Sequence, residues 1–270
     1  MTYTLFDATL DLARTIMQVR DGTASANGTT ATLIDSSQGT DYPNDFWNNG
    51  AIWIPTRSTI AAQFKRVTDY VQTSYTMTFD ALTNSITSGD AYRVATKEFP
   101  LYILKQKINA VLRAIGPLPT AATLNAVANQ TEYTNVNNSL FDQEIISVEI
   151  GIDTSSPYGW TPHYHWKQAH EASKKFIFDW GYEPCDVLPM RITYLSPHTE
   201  ISLETTVIND QVHPDRLKWM AALECWRWKE KQQHGNDGTI KEMLVESQQL
   251  AQLEASRHPI NRQKIRLARW

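Results

Sequence analysis

A helical period surfaces four times along this chain, and two long strand-like stretches separate its first three appearances. In TLFDATLDLARTIMQV, residues 4–19, Leu5, Leu12, Ile16 and Val19 fall on one stripe. In FPLYILKQKINAVLRAIGPLPT, Leu101, Leu104, Ile108, Val111 and Ile115 step by three and four after Pro100, until Gly116, Pro117 and Pro119 stop them. HPDRLKWMAALECWRWKEKQQHG opens with His213 before Pro214 and closes on Gly235. Thr239 and Glu242 then form a T-x-x-E capping box for a last helix that carries Ile240, Met243, Leu244, Leu250 and Ala251. Helices are therefore expected at 4–19, 100–115, 214–233 and 239–256, the last two as an αα-hairpin.

The stretches between them read differently. Residues 21–97 hold short β-branched and aromatic runs (AIWIP, FKRVTDYV, SYTMTF, DAYRVAT), with Asn27-Gly28 suggesting a type I′ turn. Residues 121–211 repeat the pattern in QTEYTNV, EIISVEIGI, KKFIFDW and MRITYL. Each stretch has to leave and rejoin the helices near one place. The economical answer is an α+β fold: a discontinuous helical bundle of residues 1–20, 98–120 and 212–256, with antiparallel β modules 21–97 and 121–211 inserted and an extended C-terminal arm at 257–270.

With 270 residues, 41% hydrophobic, 20% charged and nine Trp, the chain has a core to bury and is neither disordered nor membrane-spanning in composition. The start MTYTLFDATLD lacks the pattern of a secretory signal, so folding in a cytoplasm is expected. Cys185 and Cys225 stand in unlike contexts and suit two reduced thiols better than a disulfide framework. The net charge of -4 is uneven, because residues 257–270 carry five bases and no acid. The mildly acidic remainder argues against nucleic acid as a specific partner.

Motifs for phosphate cradling, serine hydrolysis, zinc proteolysis or dithiol redox chemistry are missing from the sequence, and the expectation is a protein that is not an enzyme, with no catalytic residue and no cofactor. His163-x-His165 with His170 and Cys185 is the nearest approach to a metal constellation, but such histidines are more often solvated or hydrogen-bonded, so no metal is assigned. Asp41, Asn44 and Asp45 offer oxygen ligands for Ca²⁺, though in a Pro-containing loop they read better as turn formers. Asp153, Glu171, Asp179, Glu183 and Asp186 have no spacing that fixes an acid–base pair. Tyr158, Trp160, Tyr164, Trp166, Trp180 and Tyr182 would suit a glycan platform, or, more simply, the core and rim of a sandwich.

Two features point toward assembly. On the third helix, Leu217, Met220, Ala221 and Trp228 line one face while Trp219, Leu223 and Trp226 line another, so it is either central in its own bundle or caught between that bundle and a neighbouring subunit. Trp219, Leu223 and Trp226 are the candidate inter-subunit residues. The arm RHPINRQKIRLARW alternates bases with Ile260, Ile265, Leu267 and Trp270, a composition that fits a groove on an acidic partner.

The run GTASANGTTATLIDSS…DYPNDFWNNGAIWI…FKRVTDYVQTSYTMTF…GDAYRV resembles the Thr- and Gly-rich β module of tailed-phage virion structural proteins. MRITYLSPHTEISLETTVINDQVHPDRLKWMAALECWRWKEK is similar to the strand-then-helix ending of phage head-to-tail connector (adaptor, or neck) proteins. The resemblance implies a ring of copies, commonly a dodecamer, under the portal protein, which it would join to tail or nozzle proteins. DNA would pass through the lumen without specific binding. It also implies a virion location at the head-tail junction after assembly in the host cytoplasm, and no membrane partner. Arg262, Lys264, Ile265, Arg266, Leu267, Arg269 and Trp270 would be the portal-docking arm. The alternative expectation is a tail-tip or fibre module that binds surface glycans through the region of Trp160, Trp166 and Trp180.

Overall fold

The computed structural model describes residues 2–57, 61–134, 139–153, 159–169, 175–198, 200–233 and 237–260. It is an α+β fold with four helices and three antiparallel sheets. The chain divides into two compact units, the first of Met1–Ile115 with Thr199–Ile260 and the second of Gly116–His198.

All four expected helices form: α1 (Leu5–Ile16), α2 (Leu101–Ile115), α3 (Pro214–Gln232) and α4 (Gly238–Arg257). A capping box that the stripe alone did not reveal starts α1, the Thr4 side chain accepting from the Asp7 amide while the Asp7 carboxylate accepts from the Thr4 amide. The helix buries Leu5, Phe6, Leu10, Leu12 and Ile16, each worth about 1.5–3 kcal/mol against exposure. Val19, expected on that stripe, already belongs to a strand. Helix α4 is capped by Asp237, whose carboxylate accepts from the Thr239 amide, and not by the Thr239–Glu242 box.

In unit 1, six strands follow α1: β1 (Val19–Thr23), β2 (Thr32–Ile34), β3 (Ala51–Ile54), β4 (Gln63–Val71), β5 (Thr76–Phe79) and β6 (Ala91–Ala95). They pair in the order β1-β6-β3-β4-β5-β2. The continuation of β1 bridges β2 at Ala26 and Ile34, so the two edges meet and the sheet closes on itself as a small barrel. The link between β1 and β2 is not the type I′ turn that Asn27-Gly28 suggested, since neither residue has positive φ. Gly28 is needed for another reason: a Cβ there would stand 2.1 Å from the Thr32 carbonyl oxygen.

Strand β3 is buried on both sides. Ile52 and Ile54 fill the barrel with Leu33, Trp47, Val67, Tyr70, Met77, Phe79, Tyr92 and Val94, whereas Trp53 lies outside that cluster and its indole donates to the Thr9 hydroxyl of α1 at 3.0 Å. Inside the barrel the Tyr92 hydroxyl donates to Asp35 (2.6 Å), Gln38 donates to Tyr92 (2.9 Å) and Trp47 donates to Gln38 (3.2 Å). Burial, with the Asp35 carboxylate beside it, holds the Tyr92 phenol far above its ordinary range.

Residues 200–211, expected in the second β module, belong instead to unit 1. Thr4 bridges Val207, the Leu5 amide donates to the Thr206 carbonyl, and Ile201, Ile208 and Val212 are buried. Asn109 of α2 clamps this returning segment, accepting from the Ile201 amide (2.8 Å) and donating to its carbonyl (2.9 Å). Nearby, Arg113 Nη1 stands 3.9 Å from Glu200.

Unit 2 begins just after α2, so residues 116–120, expected with the bundle, go with it; Gly116 makes the break at φ 77°. Its strands are β7 (Leu118–Asn125), β8 (Glu132–Thr134), β9 (Glu144–Gly151), β10 (Trp160–His163), β11 (Trp166–Ala169), β12 (Lys175–Phe178) and β13 (Pro189–Ser196). One sheet runs β10-β9-β13-β7 and the other β11-β12-β8. A core of rings and aliphatic side chains drawn from both sheets fills it: Tyr133, Phe141, Val148, Phe176, Phe178, Met190 and Ile192.

Candidate functional site

Helix α3 packs against each of the other three helices, which makes it the centre of the helical part of unit 1. His213 caps it by accepting from the Asp215 amide at 3.3 Å, and Pro214 occupies its first position. The hydrogen bond from Lys218 to Asp215 (2.6 Å), together with the lysine charge, holds that carboxyl below the usual range. Leu217, Ala221, Ala222, Cys225 and Trp226 are buried. Trp226, expected at a subunit contact, is spent within its own chain: it meets Phe99 edge-on at 5.1 Å, and Lys229 lies over both rings. Burial pushes the Cys225 thiol up to about 12, so it is inert as a nucleophile.

Trp219 and Leu223 remain half-buried, Trp219 beneath Lys218. Leu223 lines a groove of about 550 Å³ between α2, α3 and α4. Ala110, Val111 and Ala114 of α2, Met220 of α3, and Ala251 and Ala255 of α4 form its apolar lining, and Glu224, Arg227, Gln248 and Gln252 its polar lining. The alanines recur at a spacing of four on both α2 and α4, so one small-residue stripe on each helix leaves space where larger side chains would have closed it. Beyond the groove, α4 exposes Val245 (57%) and Leu253 (43%), eight residues apart and on one side, while Ile240, Ser247, Ala251 and Glu254 are buried.

In unit 2 the expected aromatic group is divided. Trp166 packs on Phe176 at 5.6 Å, and Arg191 covers the Trp160 ring at 4.7 Å while holding Glu149. Trp180 is 91% exposed, with Tyr164 and Tyr182 about half exposed. His165 stacks on Tyr182 at 3.7 Å and His163 meets Phe178 edge-on, so the two imidazoles serve aromatic contacts and Cys185 stands exposed. Burial, aided by His165, lowers the His163 pKa.

The loop at 41–45 forms turns: Asn44 accepts from the Gln72 amide, Asn48 donates to Asp45, and Asp45 takes φ 65°. Glu183 accepts from the Gly181 amide in a loop of its own. Tyr158, His170, Glu171 and the whole arm from Arg262 through Lys264, Ile265, Arg266, Leu267 and Arg269 to Trp270 lie outside the described residues. The one grouping of three or more metal-ligating side chains among the described residues is His213, Glu254 and His258, where α3 begins and α4 ends. No protein-family model matches the chain, and no curated protein matches it.

Proposed function

We propose that this chain is a structural subunit of a tailed-phage virion, a head-to-tail adaptor that forms a ring under the portal and joins it to the tail. The observation that carries the reading is the α2–α3–α4 groove, lined mostly by apolar side chains, one of whose walls is a helix that exposes aliphatic residues on another side. A groove and a stripe at different places on one molecule suit a head-to-tail contact between copies, which closes into a ring when the rotation per copy divides a full turn. The occupant we assign to the groove is the Val245–Leu253 side of α4 from the next copy. Helix-in-groove docking needs an aliphatic face of that kind, and the small alanines permit close approach. The basic arm, with Ile265, Leu267 and Trp270 among its charges, would fix the ring to an acidic portal surface.

The test mixes purified chain with portal rings and counts bound copies by native mass spectrometry and electron microscopy. The expected result is a fixed number of copies in a closed ring. Leu223→Asp should break that ring while leaving a folded monomer by circular dichroism. Deletion of 261–270 should abolish portal binding. A chain that stays monomeric beside portals and inside purified particles would defeat the proposal.

One observation favours the glycan-binding alternative at a tail tip or fibre: among the described residues Trp180 is the most exposed of the large apolar side chains, near half-exposed Tyr182. Trp180→Ala, not Trp166→Ala, is the variant that probes it, because Trp166 supports the sandwich core. Glycan-array binding abolished by Trp180→Ala would move the reading there.

A further inference from the structure

We infer that His213, Glu254 and His258 form a binding site for one first-row divalent cation, for which Zn²⁺ has the best-suited chemistry. The inference is independent of the ring. Glu254 and His258 stand four apart at the end of α4 and so project from one face, and His213 is the residue that opens α3. One ligand atom from each lies within 4.8 Å of the other two. Two imidazoles and a carboxylate are a donor set for Zn²⁺ and its neighbours rather than for Ca²⁺ or Mg²⁺, which prefer oxygen alone.

The three side chains are already gathered at the junction of the start of α3 and the end of α4. The Glu254 side chain is only 10% exposed; Arg257 donates to its Oε1 at 2.9 Å, while its Oε2 faces His258 Nε2 at 3.4 Å. The imidazoles of His213 and His258 stack with centroids 3.4 Å apart and planes within 2°. Arg216 donates to the His258 carbonyl at 2.8 Å and so ties the end of α4 to the start of α3. Donors up to 4.8 Å apart must close to roughly 3.3 Å, the edge of a tetrahedron with ~2.0 Å bonds. Rotation about the broad terminal torsions of His213 and His258 supplies that movement.

Tautomer chemistry assigns the neighbouring carboxylate a part. If His213 ligates through Nε2, its Nδ1 carries the proton and turns from acceptor to donor, and Asp215 Oδ2 already lies 3.8 Å from it. Asp215 then takes the place of the outer carboxylate that orients a metal-bound imidazole. Three protein donors leave a fourth position for water.

The test titrates the full chain with Zn²⁺ by calorimetry and follows Co²⁺ by its visible d–d bands, which needs no variant. The expected result is one saturable equivalent and intense tetrahedral Co²⁺ bands. At a hundred times the Kd, the melting temperature of unit 1 should rise by about 5–10 °C. Asp215→Asn should weaken binding ~10-fold, and His213→Ala or His258→Ala more than the ~100-fold upper range for an outer partner. His163→Ala/His165→Ala should bind as the parent does. Absence of saturable uptake, or one equivalent retained by a folded His213→Ala/His258→Ala double variant, would overturn the assignment.

Discussion

The barrel of unit 1 joins its two edges and keeps polar groups at its centre, whereas the sandwich of unit 2 keeps its two sheets separate and fills the space between them with rings. In the barrel, Asp35, Tyr92, Gln38 and Trp47 form a chain of hydrogen bonds among buried side chains. In the sandwich, Tyr133, Phe141, Phe176 and Phe178 lie at 4.8–6.0 Å centroid separations. The contrast separates two ways of choosing one structure. A directional network penalises every wrong register by leaving a buried polar group without a partner, while ring packing supplies more energy with less direction.

The largest effect should come from the rings. Phe176→Ala removes a fully buried side chain that touches four other rings, at a cost of about 3–5 kcal/mol. Calorimetry should show the unit 2 transition falling by more than about 10 °C while that of unit 1 stays in place. A common shift of both transitions would break the comparison, because the two cores would then be one cooperative system.

A smaller effect sharpens the other half. Tyr92→Phe keeps the ring but takes one partner from Asp35 and one from Gln38, costing about 1–3 kcal/mol, in unit 1 alone. Chemical denaturation resolved by unit reads it, and an unchanged midpoint would mean that the network adds no stability.

The smallest effect is in pH. Burial lowers the pKa of His163 and of His198, both in unit 2. With folded values below the ordinary ~6.5, the unfolded chain takes up protons first. Their contribution is complete above about pH 6.5 and is lost as pH falls through the folded values. Melting curves between pH 7.5 and pH 5 should therefore show unit 2 losing a few degrees, and His163→Gln/His198→Gln should flatten that slope. An equal slope in the double variant would trace the loss to other groups.

The helices were legible because their signal is local. The stripes of α1 and α2, the His213-Pro214 start of α3 and the Gly116 stop can all be seen within a few residues of sequence. The barrel was not, because closure depends on β1 meeting β6, and Ala26 meeting Ile34, across loops whose lengths carry no pairing information. Residues 200–212 look like any loop until Asn109 is known to hold Ile201. For the groove, Leu223 was visible as an apolar residue off the main face of α3, yet the alanines that open the space carry no sequence signal of absence. The intrachain packing of Trp226 was not visible, because its partner Phe99 is 127 positions away. The Glu254–His258 spacing of four was readable, but nothing local announces that His213 joins them.

The grip of Asn109 on Ile201, with Arg113 close to Glu200, means that the point where the chain departs for unit 2 and the point where it returns are stitched together within unit 1 itself. Such a seam works as a grafting socket. Whatever is strung between its lips can be trimmed or lengthened while both ends of the opening stay anchored to the host scaffold.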